Sequence, residues 1–387
     1  MKQIVILTST RADYGLLSCV IKKLMCDKEV NVRVVATGMH LSSEFGLTYK
    51  DVENDGIRID RKIEILMSSD TSVSMSKTMG MAMISFADYF EEISPDALLV
   101  LGDRYETLAV CCAALNAKIP IIHLHGGETT EGAIDEAIRH SITKMSYLHF
   151  TSTEEYRRRV IQLGENPERV YNVGSLGVEN VLNQTLLSRE ELESELKLQL
   201  NIPYAVVTYH PVTLEDRDIC ETVKMFLDAL DHNKDMFYII TKSNADAGGR
   251  QINLMMEEYA EHRDNVQVYD SLGMIKYLSA VKYSKMVIGN SSSGILEVPS
   301  FKIPTVNIGD RQKGRIRAES VIDCNEDTES IVRAIKKART PEFRKQCGQV
   351  KNPYEGVRTS DTIVEIIKEK LFDEKVEIRK KFYDIKY

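Results

Sequence analysis

Histidines and carboxylates crowd one short stretch of this chain: His123, His125, Glu128, Glu131, Asp135, Glu136, Arg139 and His140. Imidazole and carboxylate side chains together suit proton transfer near neutral pH. The same residue types also bind metals. The spacing is not the H-E-x-x-H pattern and fixes no three-ligand set, so acid–base work is the stronger reading. His123 and His125, at i and i+2, would point to one side of an extended segment. Gly126-Gly127, between His125 and Glu128, would let backbone approach a ligand closely. Asp135 and Arg139, at i and i+4, would share a helix face, either as functional groups or as an intrahelical ion pair.

Cations, hydroxyls and small residues gather elsewhere, in patterns that suit an anion. Thr10-Arg11-Ala12-Asp13-Tyr14 follows the first apolar run. A strand-to-helix turn there would offer N–H groups to a phosphate and Arg11 a bidentate contact, or Asp13 would simply cap the helix. Asp103-Arg104 follows the apolar run at 97–101, as a helix cap with a surface ion pair or as a pair facing a ligand. His210-Pro211 ends another run; a histidine there is either a satisfied structural residue or a diphosphate donor. The stretch from Lys242 to Arg250, with Asn244 and Asp246, reads as a turn with Asx chemistry. Gly289-Asn290-Ser291-Ser292-Ser293-Gly294 is the most specific of these patterns. A strand enters it, a helix leaves it, and small residues at a helix start present N–H groups and hydroxyls to a phosphate. It is neither a Walker A loop nor G-x-G-x-x-G. Glu297, one to two turns into that helix, could accept two ribose hydroxyls, and Arg311, Lys313 and Arg315 follow the last apolar run. The second half therefore suits a nucleotide diphosphate, and the first half suits chemistry on what that diphosphate carries.

The elements that must hold these residues alternate. Short β-rich runs at 4–8, 31–36, 97–101, 119–123, 147–151 and 170–173 are separated by helical patterns at about 14–26, 76–93, 106–116, 133–145 and 154–163. The pattern restarts with runs at 204–209, 236–241, 266–269, 286–289 and 305–308. Apolar strands alternating with helices predict an α/β protein with parallel sheets covered on both faces. Two doubly wound units imply an interdomain cleft with ligands at the carboxyl ends of strands. The charged, leucine-rich segment 188–200 reads as the linker, and a last helix at about 359–371 precedes a tyrosine- and lysine-rich tail. The 387 residues, 43% hydrophobic and 28% charged, fit two globular domains. A net charge of −8 argues against a nucleic-acid surface but not against one anionic ligand. The seven cysteines, odd in number and without C-x-x-C, suit a reducing cytosol. Neither a signal peptide nor an apolar run of roughly 18 residues is present, so a cytoplasmic protein with no membrane span is expected.

The motifs above, with Asp135-Glu-Ala-Ile-Arg139-His140-Ser-Ile-Thr-Lys144 among them, occur in an order and spacing that resembles the hydrolysing UDP-N-acetylglucosamine 2-epimerases. The similarity is strongest to the bacterial enzymes of sialic acid and legionaminic acid synthesis, and it spans residues 4 to about 370. It implies a GT-B fold of two Rossmann-like domains, 1–180 completed by about 359–387, and 188–358 for the nucleotide. It implies a homodimer or homotetramer that uses no metal and no nicotinamide. It implies conversion of UDP-N-acetylglucosamine and water to N-acetylmannosamine and UDP. The route would be elimination across C1–C2 to a 2-acetamidoglucal, then hydration.

Carried over by position, Asp103, Glu128, Asp135, His125 and His210 are the implied catalytic residues. Arg11, His40, Arg104, Asn244, Asp246, Ser271, Asn290, Ser291, Ser292, Gly294, Glu297 and Arg311 are the implied nucleotide- and substrate-binding residues. One position departs from the animal enzymes and some bacterial ones: His125 stands where they carry a catalytic glutamate, so either His125 or Glu128 takes over that work. The alternative substrate is a GDP- or UDP-linked N,N'-diacetylbacillosamine. Lesser alternatives are a non-hydrolysing epimerase, a glycosyltransferase on the same fold and a non-catalytic nucleotide-sugar sensor.

Overall fold

The computed structural model describes residues 1–67, 69, 71–131, 134–212, 218–243, 248–373 and 376–385. Its strands form two separate sheets, parallel throughout. The first holds β1 (Lys2–Thr8), β2 (Val30–Thr37), β3 (Ile59–Ile63), β4 (Ala97–Leu101), β5 (Ile121–Leu124), β6 (Leu148–Thr151) and β7 (Val170–Asn172), in the order β3-β2-β1-β4-β5-β6-β7. The second holds β8 (Tyr204–Thr208), β9 (Phe237–Thr241), β10 (Val266–Tyr269), β11 (Met286–Gly289), β12 (Thr305–Ile308) and β13 (Val321–Cys324), in the order β10-β9-β8-β11-β12-β13. Each order reverses once, between β1 and β4 and between β8 and β11. Such a reversal opens a crevice at the carboxyl ends of the central strands.

Both faces of each sheet are buried, which explains runs that are apolar without alternation. Along β1, Ile4 and Ile6 enter one core with Leu17, Ile363 and Ile367, while Val5 and Leu7 enter another with Phe86 and Phe90. Along β8, Ala205 and Val207 pack with Phe226 and Ile240, while Tyr204 and Val206 pack with Phe237 and Leu192. The chain divides into two compact units, one of residues 1–128, 135–179 and 354–387, the other of 129–134 and 180–353. The helix Thr359–Lys368 therefore returns to the first unit, where Ile363 and Ile367 cover the β1 core. No helix among the described residues is long and apolar enough to cross a membrane.

The segment expected to be a linker is instead a capped helix, Arg189–Leu196. Ser188 and Glu191 close a capping box, and Leu192, Leu196 and Leu200 are buried against Tyr204 and Val298. Two strands were not expected, β3 and β13. Both are sheet edges carrying charge (Ile-Asp-Arg-Lys-Ile and Val-Ile-Asp-Cys), and polar residues protect edges while erasing the apolar signal. The helix after Asn290-Ser291-Ser292 is a single turn, Ser293–Leu296, followed by the turn Val298–Phe301 with Pro299 near its start. Glu297 thus lies just past one turn rather than inside a longer helix.

Candidate active site

In the first unit, Asp13 proves to be a cap. Its carboxylate accepts from Ser9 N (2.9 Å), Thr10 N (3.1 Å) and the hydroxyls of Ser9 (2.9 Å) and Thr8 (2.5 Å). Thr10 in return receives Asp13 N, closing a capping box on the helix Arg11–Met25. The Arg11 guanidinium reaches Asp51 at 2.9 Å. His40 is fully buried between two threonine hydroxyls, Thr8 at 2.9 Å and Thr48 at 2.8 Å. Thr8 gives its own proton to Asp13, so it accepts from His40 Nε2–H. Burial pushes the His40 pKa down despite the pull of Asp13 and Asp51, and the ring is neutral.

The densest chemistry lies after β4 and β5. His123 is buried, and its Nε2–H donates to the carbonyl of Gly102 at 2.8 Å. Burial lowers its pKa to about 3, keeping it neutral. The expected alignment of His123 with His125 is not seen: β5 ends at Leu124, and His125 takes φ +63. A left-handed histidine is uncommon and turns the chain sharply. Gly126 and Gly127 serve packing: a Cβ on Gly127 would lie 2.4 Å from the carbonyl of Tyr156, and one on Gly126 would lie 3.1 Å from the His123 ring. His125 Nδ1 lies 3.6 Å from Glu128 Oε1, which also accepts from Ser152 Oγ at 3.0 Å.

Arg139 joins these loops. It is 1% exposed, pairs with Asp103, donates to the carbonyl of Glu128 at 2.9 Å and reaches Glu136 at 3.3 Å. The helix Asp135–Met145 that carries it begins at Asp135. Arg104 pairs with the buried Glu106 at 2.5 Å rather than with its neighbour Asp103. One guanidinium thus gathers the loops after β4 and β5 and the first turns of a helix. Sequence reasoning gave Arg139 only a possible pairing with Asp135, because its partners are distant in sequence. Ser152 was missed outright; its only signal was a hydroxyl at the end of a predicted strand.

In the second unit, four strand ends meet. Gly289 has φ +137, and a Cβ there would sit 1.9 Å from the Thr208 carbonyl, so only glycine fits. Asn290 is buried and spends its side chain on His210 backbone: Oδ1 accepts from His210 N at 2.7 Å and Nδ2 donates to His210 O at 2.8 Å. The Asn290 carbonyl accepts from Gln312 at 2.9 Å and Arg311 at 3.3 Å. His210 Nδ1 lies 3.2 Å from Ser243 Oγ. His210, Asn290, Ser243 and Arg311 are therefore one cluster at the ends of β8, β11, β9 and β12. Ser291 and Ser292 precede the one-turn helix, whose Gly294 packs on β12; a Cβ there would meet Thr305 at 2.8 Å. Ser271 is exposed just past β10. Asn244 and Asp246 lie outside the described residues.

A family model described as UDP-N-acetylglucosamine 2-epimerase matches residues 22–368. The chain is 44% identical over 344 residues to a GDP/UDP-N,N'-diacetylbacillosamine 2-epimerase (hydrolyzing) of Campylobacter jejuni, covering 89% of each. It is 40% identical over 390 residues to polysialic acid biosynthesis protein P7 of Escherichia coli, covering 100% of this chain and 98% of that one. Among solved structures, an S. aureus MnaA–UDP co-structure superposes with a TM-score of 0.80 at 18% identity, over 97% of this chain and 99% of that one. The UDP-GlcNAc 2-epimerase of Neisseria meningitidis bound to UDP-GlcNAc gives 0.78 at 20% identity, over 95% and 99%. These likenesses concern the fold, and two Rossmann-like units are consistent with a GT-B-like fold. The chain belongs to the UDP-N-acetylglucosamine 2-epimerase family, on the branch of its hydrolysing nucleotide-sugar epimerases, and is an enzyme.

Proposed function

We propose that this enzyme catalyses hydrolysing 2-epimerisation of UDP-N-acetylglucosamine, releasing UDP and N-acetylmannosamine. The observation that carries the reading is Arg139, whose buried guanidinium assembles Asp103, the Glu128 loop and the helix that starts at Asp135. The reaction needs groups that take and give protons at carbon and oxygen. A base removes the C2 proton while the C1–O bond breaks, and the electron pair leaves with UDP, giving a 2-acetamidoglucal. Water then adds its oxygen to C1, and a proton is delivered to the opposite face of C2, inverting that centre.

Asp103, oriented by Arg139, serves as a proton acceptor. His125 Nδ1 and Glu128 Oε1, 3.6 Å apart, are neighbouring groups of the types that carry protons. This pairing supports a shared replacement for the glutamate that His125 displaces. Asp135 is the third proton-transfer candidate. In the second unit, His210, Arg311, Ser291 and Ser292 would stabilise the charge that develops on the departing diphosphate. Glu297, Ser271, Asn244 and Asp246 would meet the nucleoside, and the first unit's Arg11, His40 and Arg104 the sugar phosphate end. A homodimer is part of this reading.

A second substrate is favoured by a specific observation. The relative at 44% identity is named for GDP/UDP-linked N,N'-diacetylbacillosamine. Product analysis with UDP-N-acetylglucosamine, UDP-N,N'-diacetylbacillosamine and its GDP form decides between them. Release of N-acetylmannosamine with UDP is expected; turnover of the diacetylated sugars alone would shift the assignment to the second substrate.

A further inference from the structure

The lysine-rich tail that follows the last helix has no part in the chemistry above. Its described residues, 376–385, lie on the first unit with specific contacts. Lys380 Nζ reaches Glu165 Oε2 at 2.6 Å and donates to the carbonyls of Lys144 (2.8 Å) and Ser146 (2.7 Å). Tyr383 N donates to Gly164 O at 3.0 Å. The Phe382 ring fills the space beside Gly164, where a Cβ would meet it at 2.3 Å, and Lys144 Nζ lies 5.1 Å from the ring centre.

Glu165 is nearly inaccessible, and three groups converge on it. Lys144 Nζ binds its Oε1 at 2.7 Å and His149 Nε2 its Oε2 at 3.1 Å, alongside Lys380. The Lys144 and Ser146 carbonyls close the helix Asp135–Met145, where main-chain acceptors lack intrahelical donors. An ammonium at that end satisfies them and complements the helix dipole.

Two routes run from this corner to the Asp103–Arg139 pair. One is the helix itself, a rod whose far end begins at Asp135 and whose second turn carries Arg139. The other passes through His149 on β6, whose register partner on β5 is His123, which holds the carbonyl of Gly102 next to Asp103. We infer that residues 376–385 are a strap and that Lys380 is a positioning residue for the 2-epimerase reaction, fixing both partners of the Asp103–Arg139 pair. The inference rests on the catalytic reading of that pair.

The test compares Lys380→Met, Lys380→Arg and Phe382→Ala in the full chain. Lys380→Met is expected to lower kcat by about tenfold with KM for UDP-N-acetylglucosamine within twofold. Lys380→Arg, which keeps the charge, is expected to recover at least half of the loss. Amide hydrogen exchange across 135–145 is expected to quicken in Lys380→Met and Phe382→Ala, with exchange in the second unit unchanged. Wild-type kcat together with wild-type exchange at 135–145 would overturn the strap. So would a uniform rise in exchange throughout the chain, because the tail would then support stability in general. The exchange readout needs no substrate, so an inactive wild-type protein would refute the proposed reaction while the strap is still judged by 135–145.

Discussion

Arg139 is the residue on which the first unit's site turns. A buried guanidinium with three acceptors is not replaceable by an ammonium, which lacks the planar fork. Arg139→Lys is expected to cut kcat by about tenfold or more. Arg139→Met, which takes the buried guanidinium away from Asp103, should also destabilise the fold by about 3 kcal/mol in urea titrations. Asp103→Asn and Asp135→Asn are each expected to reduce turnover on the order of 100-fold. Calorimetric UDP affinity should stay within a few-fold, and near-wild-type turnover in either would contradict its role. His125→Gln and Glu128→Gln are expected to fall together in pH–rate profiles, because the two groups face each other and Ser152 holds the second. A full loss in one and none in the other would assign the work to a single group.

At the scale of elements, parallel sheets in both halves were implied by the alternation of apolar runs and helices, and of the two readings open for Thr10-Arg11-Ala12-Asp13 the structure shows the helix cap, closed as a box with Thr10. The edges were not, because Asp60, Arg61 and Lys62 make β3 look like a loop. Leu192, Leu196 and Leu200 looked like a linker because burial of a short amphipathic helix depends on a partner surface that sequence does not display. Asn290 stood out in sequence as part of a strand-to-helix turn, but its use on the His210 backbone depends on β8 and β11 being neighbours. These elements also bury three neutral histidines. His40, His123 and His149 all have pKa values lowered by burial, with His123 at about 3. The unfolded chain protonates histidine near pH 6.5, and the folded protein protonates these three only at lower pH. Stability is therefore expected to fall as pH drops below about 6.5, by up to roughly 1.4 kcal/mol per pH unit for each histidine. Burial pushes Glu165 up, but His149 and the two lysines bring it down to about 2. Its contribution is complete above about pH 4.3 and is lost as pH falls toward 2. Urea midpoints that stayed flat from pH 7 to 5 would contradict the buried neutral histidines.

For the molecule as a whole, the composition has an architectural meaning. There are 17 tyrosines and no tryptophan. Many of those phenols tie a core ring to a distant element: Tyr14 to Asp55, Tyr89 to Asp60, Tyr209 to Glu326 and Tyr259 to Asp231, all at 2.8–2.9 Å. Tyr14, Tyr105 and Tyr209, which follow strand ends in sequence, are buried in the structure. Tyr156 and Tyr354 share a hydroxyl bond of 2.8 Å where the chain returns to the first unit. Tyr156→Phe and Tyr354→Phe are each expected to cost about 1 kcal/mol. The double variant should cost clearly less than their sum, because the two hydroxyls share one hydrogen bond that either single change already removes. Additive costs would show that the pair is not coupled.

In the proposed reaction the enzyme breaks C1–O and C2–H and then adds water. Turnover of UDP-N-acetylglucosamine in D2O, with UDP quantified and the sugar read by NMR, tests it most directly. Equimolar UDP and N-acetylmannosamine carrying deuterium at C2 are expected. A sugar that retains its C2 proton, or UDP-N-acetylmannosamine as the main product, would contradict it.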